Sequence, residues 1–501
     1  MKGVNRLREA LSMKRVLLPV LSLLALCYPL HASLGYITAI VLICVCAVCE
    51  LPAVLYAYVF LFWMDEVMPF ALLGGSIVRV MQLSMGVRLA ITFLKKRLWL
   101  RKSDVALAAF TLAACAAGVI SYGVSGETMS FALNMSLFLL VRIVLRARAD
   151  APSVVRGMLR TYAYGALGAV AVGFAHQRFV TLLLEDFTSS YARFMGTFEP
   201  NFMAAFLSAA ILIWMALDWE QPAVDMLALG VMGGALVSTF SMTGMFCFAC
   251  ASFYMLIRLR KGIRRVLLRI VRALPVALGV ALIFSVFVSL RGVDYFARGI
   301  ITEDMHDYAY KLTYEDYVYA RDNGLDFLSV SKPASEILTE AEREADVEKQ
   351  IGALSNPVQQ NALMTRVREA IERIASGDLD ELTSGRYGLA RMKLKDFAAL
   401  PLWKRCVGAG PDAVMTYQVN AQQRNYAHNS WIDSLYSFGV IGFALLLAWI
   451  IRSMKRNMLA GVRLTGSTAL AAQMGRVALM LSALTLSMHI NRTFLFFFFM
   501  G

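Results

Sequence analysis

Apolar stretches of about 20 residues, the length that crosses a bilayer's hydrocarbon core as a helix, follow one another through this chain from end to end. Short basic clusters interrupt them: Lys14-Arg15, Lys95-Lys96-Arg97, Arg146 and Arg148, Arg258 to Arg265, and Arg452 to Arg456. No water-soluble fold buries that much continuous apolar sequence, so a chain of this kind reads as an all-α polytopic membrane protein. The hydrophobic fraction of 58% and the mean hydropathy of +0.60 agree, and only 17% of residues are charged.

Spans are expected at roughly 16–32, 35–49, 51–66, 76–95, 104–122, 127–146, 155–175, 200–218, 223–240, 243–258, 265–290, 432–451 and 470–488, about 12–14 in all. The first is read as a span and not as a cleaved leader, because no small-residue cleavage site follows it. Glu50-Leu51-Pro52 separates the second and third, since proline disfavours a continuous helix. With the N-terminus inside, the basic clusters all fall on the inner face, as the positive-inside rule requires. Three regions follow: an N-terminal helix bundle over 1–290, an extracytoplasmic loop over 291–427, and C-terminal helices over 428–501. The loop is polar and rich in acid around Glu336 to Glu348. Apolar positions at helical spacing in 335–376 make it partly helical. The tail Phe494 to Phe499 reads as part of a further half-span.

The net charge of +14 raises nucleic acid as a partner. Its placement between apolar runs, with no basic patch interleaved with aromatics, excludes one. Seven of the eight cysteines lie in apolar stretches, where a free thiol behaves as a small hydrophobe. No cluster has convincing metal-ligand spacing.

Three segments on the outer face carry groups suited to chemistry. Arg193 stands just ahead of Pro200-Asn201, where Asn201 reads as a helix N-cap; the plainer reading of Arg193 is a snorkelling side chain. Arg386 and Arg391 flank a short helical stretch, followed by Gly408-Ala409-Gly410, a tight turn of a kind too common to mark a phosphate site. His428-Asn429-Ser430 opens the penultimate span, with Ser430 and Asp433 at capping-box spacing. His428 then lies just outside a helix N-terminus, whose positive dipole disfavours imidazolium. A neutral imidazole can accept a proton, although a histidine that only hydrogen-bonds there is the plainer alternative. Gly439 and Gly442, one turn apart, allow close helix contact. Cations and one histidine beside the bilayer suit a membrane-bound anionic substrate such as a lipid pyrophosphate, which arginine pairs with bidentately.

His428-Asn429, nine residues, then Gly439-Val440-Ile441-Gly442 resembles the signature of the O-antigen ligase and O-antigen polymerase superfamily. Ser384-Gly385-Arg386, Pro401-Leu402, Gly408-Ala409-Gly410 and His428-Asn429-Ser430 resemble its catalytic loop in order. Arg193, Gly196-Thr197-Phe198 and Pro200-Asn201 are similar to its earlier outer-face motif, and Ser241-Met242-Thr243-Gly244 to a further element. The chain departs from the pattern at Met242, where many relatives carry Arg or Lys, at Glu199, where Asn is frequent, and at Phe443, which leans toward polymerase-like relatives.

The resemblance implies a GT-C-type helical bundle in a bacterial cytoplasmic membrane, active on its outer face. The implied reaction is metal-independent and cofactor-free. A glycan passes from an undecaprenyl-pyrophosphate carrier to a hydroxyl on a glycan or lipid-linked acceptor, by ligation or polymerisation. By the same resemblance Arg193 and Arg386 bind the pyrophosphate, with Arg391 as a substitute cation, and His428 activates or orients the acceptor. Asn201, Asn429, Ser430, Gly439 and Gly442 support them. A flippase for lipid-linked glycans and a non-catalytic envelope scaffold are the alternative functions.

Overall fold

In the computed structural model, residues 17–28, 33–65, 68–70, 75–179, 194, 196–198, 200–218, 221–239, 241–258, 263–297, 386–411 and 427–500 are described. They form helices α1 (Leu17–Cys27), α2 (Ser33–Val48), α3 (Leu51–Leu61), α4 (Val78–Lys95), α5 (Lys102–Tyr122), α6 (Gly126–Arg146), α7 (Ala151–Phe179), α8 (Pro200–Ala216), α9 (Pro222–Ser238), α10 (Met242–Arg258), α11 (Ile263–Ala297), α12 (Arg386–Ala399), α13 (Leu402–Val407), α14 (Ser430–Lys455), α15 (Gly466–Ser482) and α16 (Arg492–Phe499). Two hairpins of two-residue strands are the only sheet among the described residues: Pro69–Phe70 with Gly75–Ser76, and Met458–Leu459 with Val462–Arg463. The segment 335–376, expected to be partly helical, lies outside the described residues.

Every expected span coincides with a helix, and α2 ends before Glu50 while α3 places Pro52 in its first turn. Lengths differ from the expectation. Among the described residues, four helices are long and apolar enough to cross a membrane: Lys102–Tyr122, Gly126–Arg146, Val266–Phe284 and Ser430–Lys455. Six further apolar helices have only 10–17 residues, short of the roughly 20 that a full crossing takes. These helices identify a membrane protein by length and composition.

The C-terminal helix α16 explains how short elements share one core. Phe494 to Phe499 are all buried. Phe496 meets Phe62 edge-on at 5.6 Å between ring centroids, Phe497 meets Tyr162 at 5.4 Å, and Phe499 stacks on Phe110 at 5.5 Å. Geometries of this kind add about 0.5–1.5 kcal/mol per pair beyond area burial. Between α9 and α11 the contact is closer still. A Cβ added at Gly230 would lie 2.5 Å from Val276 Cβ, and one at Gly234 would lie 2.6 Å from the Ala277 carbonyl oxygen. Small residues at that spacing let helix backbones meet without side chains between them.

A buried ionic cluster joins the start of α5 to the end of α6. Asp104 is fully buried; its carboxylate takes Arg142 Nε at 2.9 Å and Arg146 Nη2 at 2.8 Å, and caps α5 through the Arg101 amide at 2.8 Å. Removing one member of such a cluster leaves the others charged and desolvated, a loss of about 3–5 kcal/mol. Asp104→Ala is therefore expected to lower stability by that amount in equilibrium unfolding in mixed micelles; a change below 1 kcal/mol (roughly the worth of an exposed pair) would contradict the burial argument.

Candidate functional site

The start of α14 is built by Asn429, one residue earlier than the sequence pattern indicates. Asn429 Oδ1 accepts from the amides of Trp431 at 3.0 Å and Ile432 at 3.2 Å, which makes Asn429 the N-cap. Ser430, the expected cap, points elsewhere. Its hydroxyl donates to the Leu486 carbonyl and accepts from the Met488 amide at 2.8 Å. The Ser430 amide donates to the Ala483 carbonyl at 2.7 Å, and Asn429 Nδ2 to that of Leu484 at 3.1 Å. The expected His428-Asn429-Ser430 element is thus stitched to the turn that follows α15. Asp433 completes no capping box; its Oδ1 accepts from the Ala427 amide at 3.4 Å.

His428 sits between these anchors, half-buried, with φ +47°. Left-handed backbone is uncommon for a residue with a Cβ and persists where its surroundings fix it. Here the preceding amide is held by Asp433 and the following side chain caps the helix.

Helix α12 begins at Arg386 and carries Arg391 on its exposed side. Lys393, one-half turn further on, is buried. Its Nζ stands 4.2 Å from the centroid of the Tyr436 ring, within the range of cation–π attraction. Burial pulls the ammonium below its usual range, against the opposing pull of the Asp433 and Asp396 carboxylates. Lys393 thereby couples α12 to the first two turns of α14. Neither Lys393 nor Tyr436 stands out in the sequence, and only the placement of Asp433 in the first turn of an apolar helix signals this pairing beforehand.

Gly408-Ala409-Gly410 is a docking strand and not an anion cradle. The Ala409 amide donates to the Tyr436 carbonyl at 3.1 Å and the Gly410 amide to that of Ser437 at 2.9 Å. Those carbonyls belong to the turn that Gly439 interrupts, for α14 is kinked there with φ +66°, ψ 179°. A Cβ at Gly439 would lie 2.4 Å from both the Cys406 carbonyl oxygen and the Gly408 amide nitrogen. Gly439 therefore makes room for the backbone at the C-terminal end of α13, a close approach of the kind its missing Cβ allows. Gly442 packs near the Phe110 ring, 3.3 Å from where its Cβ would be. Beneath the kink, Ser437 Oγ lies 3.1 Å from Nε2 of the buried His489, a residue sequence reasoning passed over.

The earlier motif forms a second group. Asn201 lies inside the first turn of α8, which begins at Pro200, and is not its cap. Its Oδ1 accepts from Ser241 Oγ at 2.9 Å, and Ser241 Oγ in turn accepts from the Gly244 amide at 3.2 Å at the start of α10. The motifs at Pro200-Asn201 and Ser241–Gly244 are thus one unit. Gly196 has φ +63°, and a Cβ on Gly173 of α7 would fall 2.2 Å from the Gly196 Cα, so the turn rests directly on α7. Arg193, and the side chains of Arg386 and Met242, lie outside what is described.

No family model, curated protein or solved structure matches the chain.

Proposed function

We propose that this chain is a glycosyltransferase of the bacterial cytoplasmic membrane. It moves a glycan from an undecaprenyl-pyrophosphate carrier to a hydroxyl acceptor on the outer face, in the manner of O-antigen ligases and polymerases. The observation that carries the reading is the position of Asp433. One carboxylate holds the Ala427 amide just before His428 and attracts Lys393 on the helix that starts at Arg386. Two segments far apart in sequence, each bearing a group the reaction needs, share one anchor.

In this reaction the acceptor oxygen attacks the anomeric carbon as the bond from that carbon to the pyrophosphate oxygen breaks. His428, placed outside the first turn of α14, takes the hydroxyl proton as general base. Polyprenyl pyrophosphate leaves with the bonding electron pair. Arg386, Arg193 and Arg391 are the cations assigned to its developing charge. The basic clusters at 95–102, 146–156, 258–272 and 452–463 support an orientation with these groups outside.

A flippase for lipid-linked glycans is the second reading. It is favoured by ionisable residues buried among the apolar helices, Asp433, His489 and Arg476, since such residues often mark substrate paths. Arg476 has a structural explanation, as its guanidinium donates to the Phe497 carbonyl at 2.8 Å and to that of Met458. Cells producing the Arg193→Ala, Arg386→Ala and His428→Ala variants at wild-type membrane levels separate the readings. Transfer predicts lost surface glycan with lipid-linked donor accumulating on the outer leaflet. Donor trapped on the inner leaflet would point to the flippase, and intact glycan in all three would sink both.

A further inference from the structure

The segment Leu402–Gly410 lies against the interiors of two helices of membrane-spanning length, not beyond their ends. Those helices are α5 and α14. A Cβ added at Gly410 would fall 2.1 Å from the Cα of Gly118 on α5. One added at Gly439 on α14 would meet the Cys406 carbonyl oxygen and the Gly408 amide nitrogen. At roughly 1.5 Å per residue, Gly118 stands about 6 Å in from the Tyr122 end of α5, and Gly439 about 13 Å in from the Ser430 end of α14. Further along both helices Gly442 packs near Phe110, so these are the same end of an antiparallel pair.

The backbone and side chains of the segment suit that depth. Non-helical amides at membrane depth need acceptors within the protein. Those of Gly408, Ala409 and Gly410 have them, in the carbonyls of Lys404 at 2.7 Å, Tyr436 at 3.1 Å and Ser437 at 2.9 Å. None of the six residues of α13 is buried, and Leu402, Trp403 and Val407 are exposed. With 3.6 residues per turn these three share an arc of about 140°, and Lys404 and Arg405 fall outside it. Lys404 Nζ lies 5.7 Å from the centroid of the Tyr122 ring, at the end of α5, and 5.3 Å from that of Trp403. An apolar arc with a tryptophan and a basic flank is the pattern of a helix lying at a bilayer interface, where aromatic rings and long basic side chains reach headgroup level. The spans are exposed and apolar beside both contact points, at Val119 and Ile120 of α5 and at Val440 and Ile441 of α14.

We propose that α13 is set into the bilayer leaflet on the His428 side, with Leu402, Trp403 and Val407 against acyl chains and Lys404 reaching the headgroups. The polar loop expected over 291–427 thus returns to the membrane before α14 begins. This placement does not rest on glycan transfer, and its test does not use that activity.

The full chain and its Trp403→Phe variant are reconstituted in phosphatidylcholine vesicles, plain or brominated on the acyl chains. Trp403 is exposed, so phenylalanine leaves the packing intact. The fluorescence that the substitution removes in plain vesicles belongs to Trp403. This component is expected to be lost in brominated vesicles and to persist in plain ones with iodide on both sides of the membrane. Stronger quenching by iodide than by bromine would place Trp403 in water. Quenching by neither would place it under protein, whether another part of this chain or a second copy. Either result would overturn the proposal.

Discussion

His428→Asn is expected to lower glycan transfer by on the order of 10²–10⁴-fold, the usual contribution of a positioned general base, while membrane level and thermal stability stay at wild-type values. Asparagine is the informative replacement. It tolerates the left-handed backbone that His428 adopts at φ +47°, whereas alanine there adds strain unrelated to chemistry. Neighbouring groups supply three anchors that the replacement keeps: Asn429 still caps α14, Ser430 still bridges Leu486 and Met488, and Asp433 still holds the Ala427 amide. A general base also predicts a limb in the pH profile of the wild type that the variant lacks. An orienting histidine predicts a smaller loss with the profile unchanged in shape.

Gly439→Ala is expected to be among the most damaging single methyl additions in the C-terminal part of the chain. Backbone at φ +66°, ψ 179° is a region that only glycine occupies comfortably, so alanine costs about 1–3 kcal/mol from conformation alone. The new methyl would also meet two backbone atoms at 2.4 Å, and neither can rotate away. Relief requires the Gly408–Gly410 strand to lift off, which breaks its two hydrogen bonds to Tyr436 and Ser437. Two readouts follow: a lower melting temperature in detergent, and faster maleimide labelling of Cys406 measured by peptide mass spectrometry. Gly279→Ala is the control. Nothing lies within 4 Å of its added Cβ, and alanine favours the helix by roughly 1 kcal/mol. Equal stability of the two variants would mean that the kink is not what docks the loop.

Helix placement was legible because one physical signal dominates it. A run such as Phe202 to Ala216 is apolar but for Ser208, and Pro52 stops a helix by its missing amide hydrogen and ring. Polar partners were less legible, because they are chosen across the fold. Ser430 and Asp433 have the spacing of a capping box, yet the serine hydroxyl is taken by a turn after α15 and the neighbouring asparagine caps instead. The Gly439–Gly442 spacing suggests close helix contact, and the atoms against Gly439, from Cys406 and Gly408, belong to the end of the short helix α13, a partner the spacing does not name. Lys393 lies in a charged, weakly amphipathic helix, and only Tyr436 and Asp433 make it a buried residue. His489, in Ser487-Met488-His489-Ile490, gives no periodic signal; its neighbours Ser437 and Phe438 come from α14.

The proposed reaction stands or falls on bond formation by the protein alone. Purified protein in proteoliposomes, supplied with an undecaprenyl-pyrophosphate-linked glycan with and without a hydroxyl acceptor, is expected to release undecaprenyl pyrophosphate. It is also expected to form a new glycosidic product: a ladder if lipid-linked repeats serve as acceptors, or a single shift if one acceptor is modified once. Glycan that crosses the bilayer with its pyrophosphate linkage intact, and no new product under either condition, would contradict it.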